Sequence, residues 1–218
     1  MIELKRISKQ YPTGQLALYN VNLTLMQGEM AFLTGVSGAG KSTLLKLIAL
    51  IEKPSEGDIL VDGTPLVKLT PKQIPVYRRS IGFIYQDPHL LTDRNIFDNI
   101  ALPLRICGID YKEAERRVHA ALDKVGLSNK AQQYPMMLSA GEKQRVGIAR
   151  AVVNKPSIIL ADEPTGNLDP ELATDIMHTF SQFNELGATV LIASHDHDLI
   201  HQFEKRTIVL QKILVQHD

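Results

Sequence analysis

Short apolar runs separated by longer amphipathic stretches set the pattern of this chain. Residues 2–7 and 21–26 alternate apolar and polar side chains, the period of a strand with one covered face. Pro12-Thr13-Gly14 between them punctuates a turn. Residues 30–34 carry no charge, read as a strand covered on both faces, and stop at a glycine-rich loop; a helix is predicted from 41 to about 50. Pro54 to Gly57 breaks the chain, and 58–61 resume as a strand that ends in an Asp62-Gly63 turn. Farther along, helices are predicted at 71–79, 94–104 and 111–125, with one strand at 80–85. Residues 157–161 and 189–193 return as apolar strands on either side of a helix at 170–186.

Strand–helix–strand alternation with such apolar strands predicts an α/β fold, a mainly parallel sheet covered by helices on both faces. The predicted organisation is one domain over 1–218. Its core comes from 1–86 and 157–218, and a mostly helical insertion of about 87–156 interrupts it.

Composition narrows the classes. The 218 residues are 44% hydrophobic and 22% charged, which excludes a disordered chain or a coiled coil. Lys plus Arg number 24 and Asp plus Glu number 24, and this neutrality argues against a nucleic-acid partner. The single cysteine, Cys107, can form no internal disulfide and no thiolate metal cage, which fits a reducing compartment. The most apolar stretches, 44–51 and 96–109, are too short or interrupted for a span of about 20 residues. No apolar signal core follows the charged N-terminus. The chain is expected to be cytoplasmic, with any membrane role exercised through a partner.

Gly35-Val36-Ser37-Gly38-Ala39-Gly40-Lys41-Ser42-Thr43 has Walker A spacing and lies where that motif works, between a strand and a helix. Small residues let successive backbone N–H groups wrap a phosphate chain, and the helix N-terminus adds unsatisfied donors and partial positive charge. Lys41 can reach the β- and γ-phosphates, and the Ser42 hydroxyl can ligate Mg²⁺. A carboxylate for that ion is expected on a neighbouring strand. Ile158-Ile159-Leu160-Ala161 ends in Asp162 and Glu163, an acid to hold the metal and an acid to orient the attacking water. Together these motifs predict a nucleoside triphosphatase.

Leu138-Ser139-Ala140-Gly141-Glu142, followed by Lys143-Gln144-Arg145, closely resembles the signature motif of ABC ATPases. Further segments join the resemblance. Tyr11 falls where that family stacks an aromatic ring on adenine, and Gln86 matches the Q-loop, whose amide oxygen can join the Mg²⁺ shell. Gly166-Asn167-Leu168-Asp169 matches the D-loop, and His195 matches the switch histidine that senses the γ-phosphate. The likeness covers the whole chain. It implies ATP and Mg²⁺ as cofactors and a cassette fold: a RecA-like core, an N-terminal antiparallel β subdomain and an inserted α-helical subdomain. It implies a homodimer that sandwiches ATP head to tail, each signature motif facing the other subunit's phosphate loop. Catalysis would rest on Glu163, His195 and Gln86, and metal binding on Ser42, Gln86 and Asp162. Nucleotide contacts would come from Tyr11, Gly35, Ser37, Gly38, Ala39, Gly40, Lys41, Ser42 and Thr43, with Ser139, Ala140, Gly141, Glu142 and Asp169 from the signature and D-loop.

Within the family, segments 28–35, 90–94, 98–104 and 146–156 resemble the bacterial cell-division branch. The Thr165 to Asp169 form of the D-loop is shared with relatives in lipoprotein release and macrolide export. That resemblance implies an integral membrane partner at the cytoplasmic side of the inner membrane and a link to cell-wall hydrolases. The alternative is the ATPase of a lipoprotein-release or export transporter. The insertion is the expected docking surface, with Leu90-Leu91 and Ile96-Phe97 as candidate contacts; simple packing of the insertion explains the same apolar residues. A DNA- or ribosome-acting ABC ATPase would bring coiled coils, zinc modules or two cassettes. A small-molecule kinase leaves Gln86, the 138–145 motif and His195 without a role.

Two departures from the family pattern stand out. Ala140 replaces the usual second glycine of the signature; it adds a methyl group and restricts positive φ, which predicts weaker closure on the γ-phosphate. The tail at Leu210-Gln211-Lys212-Ile213 lacks the usual turn glycine. His195-Asp196-His197-Asp198 with His201 is not expected to bind metal, because i and i+2 alternate faces on a strand. Arg78-Arg79 and Arg116-Arg117 read as solvated faces, and Cys107 as a small apolar residue.

Overall fold

The computed structural model describes residues 1–166 and 168–211. Asn167 of the D-loop and the tail from 212 onward therefore lie outside the described residues. Strands β1 (Ile2–Gln10) and β2 (Leu16–Leu25) pair antiparallel, with Ile2 opposite Leu25 and Gln10 opposite Leu16. The next strand, β3 (Met30–Thr34), is buried at every position and feeds helix α1 (Lys41–Ile48). The chain then returns as β4 (Glu56–Val61) beside β1 and turns through Asp62 and Gly63, both at positive φ, into β5 (Thr64–Pro65). The resulting four-stranded sheet has the order β2-β1-β4-β5. A bulge at Arg6, φ +52, shifts the β1–β4 ladder, and Gly57 takes the position opposite because a Cβ there would lie 2.3 Å from the Arg6 carbonyl.

Helix α2 (Ile74–Arg79) leads into β6 (Ile81–Ile84). Helices α3 (Ile96–Ile106), α4 (Tyr111–Lys124) and α5 (Ala140–Val152) follow before the chain re-enters the sheet as β7 (Ile158–Asp162). Helix α6 (Pro170–Glu185), β8 (Thr189–Ala193), α7 (His197–Phe203) and β9 (Arg206–Val209) complete the described chain. The second sheet is parallel throughout, in the order β6-β7-β8-β3-β9. All five strands thus end at the same edge, where an open α/β sheet binds ligands.

The continuous apolar runs have a simple cause. Phe32, Ile159, Ala161, Val190 and Ile192 point to one side of the parallel sheet, into a core shared with α3, α4, α5 and α6. Ala31, Leu33, Ile158, Leu160 and Leu191 point to the other, against α1 and the antiparallel sheet. Both faces are dry, so neither residue parity can be polar.

Helix α3 begins at 96, not 94, because the Asn95 side chain accepts the Asp98 N–H and caps it. It runs on to 106 although Pro103 lies within it. Ile96 and Phe97, expected as candidate partner contacts, are buried in the core, whereas Leu91 is exposed. Three of the four arginines in the basic pairs are engaged. Arg78 donates to the Leu50 carbonyl at 2.5 Å, and Arg116 and Arg117 both hold Glu113, at 2.7 and 2.6 Å, which keeps that carboxyl at about 2. Among the described residues no helix is long and apolar enough to cross a membrane.

Candidate nucleotide site

The loop that leaves β3 is shaped by its glycines. Gly35 has φ +146, and a Cβ there would lie 2.4 Å from the Leu210 carbonyl; Gly40, at φ +96, would put one 2.5 Å from the Ala17 carbonyl. Gly40 is also the N-cap of α1, with no side-chain cap and no acid in the first turn. The first N–H groups of α1 are left for a ligand, which the helix dipole favours as an anion.

Around this loop the strand ends deliver the chemistry. Lys41 Nζ donates to the Gly35 carbonyl at 2.8 Å and lies 3.9 Å from Glu163 Oε1, both side chains being largely buried. The Ser42 hydroxyl donates to Asp162 Oδ1 at 2.9 Å. One residue beyond β7, Glu163 takes φ +48, a strained region for a side-chain-bearing residue, while its N–H donates to the Ala193 carbonyl at 2.9 Å. That turn brings its carboxylate back over the cleft, where Oε2 meets His195 Nδ1 at 2.7 Å. Tyr11 joins from the opposite sheet, its hydroxyl 3.2 Å from Thr43 Oγ1.

A cleft of about 850 Å³ is lined by Tyr11, residues 35–43, Gln86, Asp162, Glu163 and His195. His197, considered above only as a metal ligand and not expected to be one, lines it too; the signal was its position two residues past His195. Gln86 is exposed and also borders an adjoining cavity of about 390 Å³ with Ala140, Lys143, Gln144 and Glu163. Gln144, named above within the signature segment but given no role of its own, is 5% exposed and donates from Nε2 to the Tyr85 carbonyl at 3.1 Å. It ties α5 to the residue before Gln86.

Ser139, Gly141, Glu142 and Asp169 do not line the main cleft. Ser139 is the N-cap of α5 in a reciprocal capping box: its Oγ accepts the Glu142 N–H at 3.2 Å, and Glu142 Oε2 accepts the Ser139 N–H at 2.9 Å. The Ser139 N–H, and then Lys130, hold the Glu142 carboxyl below its ordinary value against the opposing effect of burial. Asp169 caps α6 by accepting the Leu172 N–H at 3.0 Å. Ala140 is the first residue of α5 and does not have positive φ, so the expected backbone restriction is absent. The crowded position is Gly141, where a Cβ would lie 2.9 Å from Leu172 Cδ2.

A parallel sheet with a phosphate loop after β3, and acids at the end of β7, which is separated from β3 by β8 and is not its direct neighbour as the sequence suggested, defines the class of P-loop nucleotide-binding cassettes. Residues 18–166 match the family model described as ABC transporter, and the chain belongs to that family as an ATPase of the ABC class. It is 54% identical over 210 residues to the cell division ATP-binding protein FtsE of Escherichia coli K12, with 96% of this chain and 95% of the relative covered. A bacterial ABC transporter cassette solved as a dimer is 37% identical, with a TM-score of 0.91 and 97% and 94% of the two chains covered. A dimeric post-hydrolysis state of the same cassette, bound to ADP and Pi, is 36% identical with a TM-score of 0.90, covering 96% and 94%.

Proposed function

We propose that this chain is the ATP-binding and ATP-hydrolysing subunit of a bacterial cell-division membrane complex, and that it drives a membrane partner of the FtsX type. The observation that carries the chemistry is the convergence of Lys41, Asp162, Glu163 and His195 on one phosphate-loop cleft. The cell-division assignment is supported by the identity to FtsE over nearly the full length of both chains.

The loop N–H groups and the start of α1 bind the triphosphate, and Lys41 exchanges the Gly35 carbonyl for phosphate oxygens. Ser42 Oγ and Asp162 Oδ1 are two hard oxygen donors side by side, a fit for Mg²⁺, with the Gln86 amide oxygen as a further donor. When bound, that ion neutralises charge building on the β- and γ-phosphates. Glu163 takes a proton from the attacking water, and His195 turns from Glu163 towards the γ-phosphate. Tyr11 stacks on the adenine. A second copy contributes Ser139, Ala140, Gly141, Glu142 and Asp169, which supports a site completed only in a dimer; the similar solved cassettes are dimers.

Residues 87–156 act as the arm that meets the membrane partner. In place of Ile96 and Phe97, the open apolar surface is a groove of about 490 Å³ between α2, β6, α3 and α5, with Phe83, Tyr85, Leu102 and Ile106 in its wall and Arg79 at its rim. Its occupant is a helix of the FtsX-type protein, which holds this chain at the cytoplasmic face of the inner membrane. Affinity capture of the full chain from native membranes tests the assignment. A division-complex membrane protein as the retained partner supports it; a lipoprotein-release or export permease in its place overturns it.

A further inference from the structure

A buried positive charge lies behind the ring that borders the nucleotide cleft. Lys9, near the end of β1, is only 9% exposed. Its Nζ donates to Glu52 Oε2 and to the Lys53 carbonyl, both at 2.9 Å, and stands 5.0 Å from the centroid of the Tyr11 ring. Tyr11 lines the cleft and Lys9 does not, an arrangement that fits an ammonium on the side of the ring turned away from the cleft. On its other fixed point, the phenol meets Thr43 Oγ1 on α1.

Burying an ammonium is costly, and packing alone would be met by an aliphatic side chain. What the charge adds is directional. A cation over an aromatic face is attracted to the ring quadrupole and holds the ring against it. Glu52 and the Lys53 carbonyl fix the ammonium, the ammonium fixes one face of Tyr11, and Thr43 fixes its hydroxyl. The free face is then immobilised before any ligand arrives, which removes an ordering cost from binding.

We propose that Lys9, clamped by Glu52, is a positioning residue that presents Tyr11 as a rigid stacking platform for a nucleotide base, in register with the phosphate loop through Thr43. This rests on the reading of Tyr11 as the base-stacking residue. Lys9 thus contributes to base affinity without touching the nucleotide.

The test uses the full chain and two probes, ATP and inorganic tripolyphosphate, which has no base. Dissociation constants are measured for the unaltered protein, Lys9→Met, Lys9→Arg, Tyr11→Ala and the Lys9→Met/Tyr11→Ala double variant. Lys9→Met is expected to weaken ATP about two- to fivefold, the range of a cation–π contact, and to shift tripolyphosphate less than about twofold. Lys9→Arg, which keeps a cation over the ring, is expected to restore most of the ATP affinity. In the Tyr11→Ala background the Lys9→Met effect is expected to vanish. An equal shift for both probes, or an undiminished Lys9 effect without the Tyr11 ring, makes Lys9 merely structural and overturns the inference. An unchanged ATP affinity in Tyr11→Ala removes the base-stacking reading itself, and the inference with it.

Discussion

His195 Nδ1 and Glu163 Oε2 stand 2.7 Å apart, so the carboxylate assigned to activate water already has a partner. On the proposed assignment, that contact is expected to open during hydrolysis, with the γ-phosphate as the new acceptor for the histidine. Glu163→Gln keeps the size of the side chain and removes its basicity. It is expected to lower turnover by about 10²- to 10⁴-fold, the usual worth of a general base, while ATP still bridges two subunits. Light scattering should then find a stable dimer with ATP and Mg²⁺. A variant that stays monomeric at high protein concentration would remove the sandwich arrangement.

Lys41 is the largely buried cation of the cleft, and without nucleotide its ammonium donates to the Gly35 carbonyl. Lys41→Ala leaves the loop backbone and takes away the charge that the β- and γ-phosphates would meet. ATP binding by calorimetry is expected to fall by at least tenfold and hydrolysis to fall to background. Hydrolysis retained at the original rate would refute the assignment.

What the sequence made legible, and what it did not, follows from how far apart the partners lie. Gly35 to Thr43 is one contiguous motif whose backbone shape and ligand chemistry sit in the same nine letters, and β7 with Asp162 and Glu163 is equally local. The parallel sheet was readable because both faces of β3, β7 and β8 are dry. Ile96 and Phe97 read equally as partner contacts or as core of the insertion, because an apolar pair at the start of a helix looks the same whether it faces core or solvent; only the packing of α3 decides for the core. The partnership of Lys9 with Glu52, 43 residues away, leaves no local pattern at all. Nor does the strain at Glu163, which comes from tying its N–H to β8.

The signature turn inverts the expectation drawn from its sequence. Ala140 opens α5 without positive φ, so Ala140→Gly relieves no backbone strain, and turnover is expected to stay within about twofold. Gly141→Ala instead pushes a methyl against Leu172 Cδ2, the far end of a side chain that can move aside, so the gain in helix propensity offsets the contact and stability is expected to change by less than about 1 kcal/mol. Thermal unfolding and steady-state hydrolysis of the two variants check both halves. A several-fold rise in turnover for Ala140→Gly would restore the idea that the methyl hinders closure.

Ile106 is 60% exposed on the wall of the groove assigned to the membrane partner. A substitution to Asp there removes little packing, so the melting temperature is expected to move by only a few degrees. A charge at an apolar contact is costly when a partner helix covers it, and capture of the membrane protein is expected to drop by at least tenfold. Full retention of the partner would place docking elsewhere on the chain.

The capping box at the signature gives a pH dependence of known sign. The Ser139 N–H and, more weakly, Lys130 lower the Glu142 carboxyl from 4.5 in spite of burial. A carboxyl depressed in the folded state adds stability that is fully present above its unfolded value and is lost as pH falls through the folded one. Glu142→Gln keeps the hydrogen-bond acceptor that a capping box requires and discards the charge. At pH 7 the unaltered protein should be the more stable by about 1 kcal/mol or less, a modest figure because the Glu142 side chain is 21% exposed and water screens it. As pH falls below about 4.5 and through the depressed folded value that advantage should shrink, because both forms then carry a neutral group at the same place. Urea midpoints of the two proteins across this range measure it directly. A stability difference that stays constant, or widens in acid, would mean that the charge of Glu142 has no part in holding the start of α5.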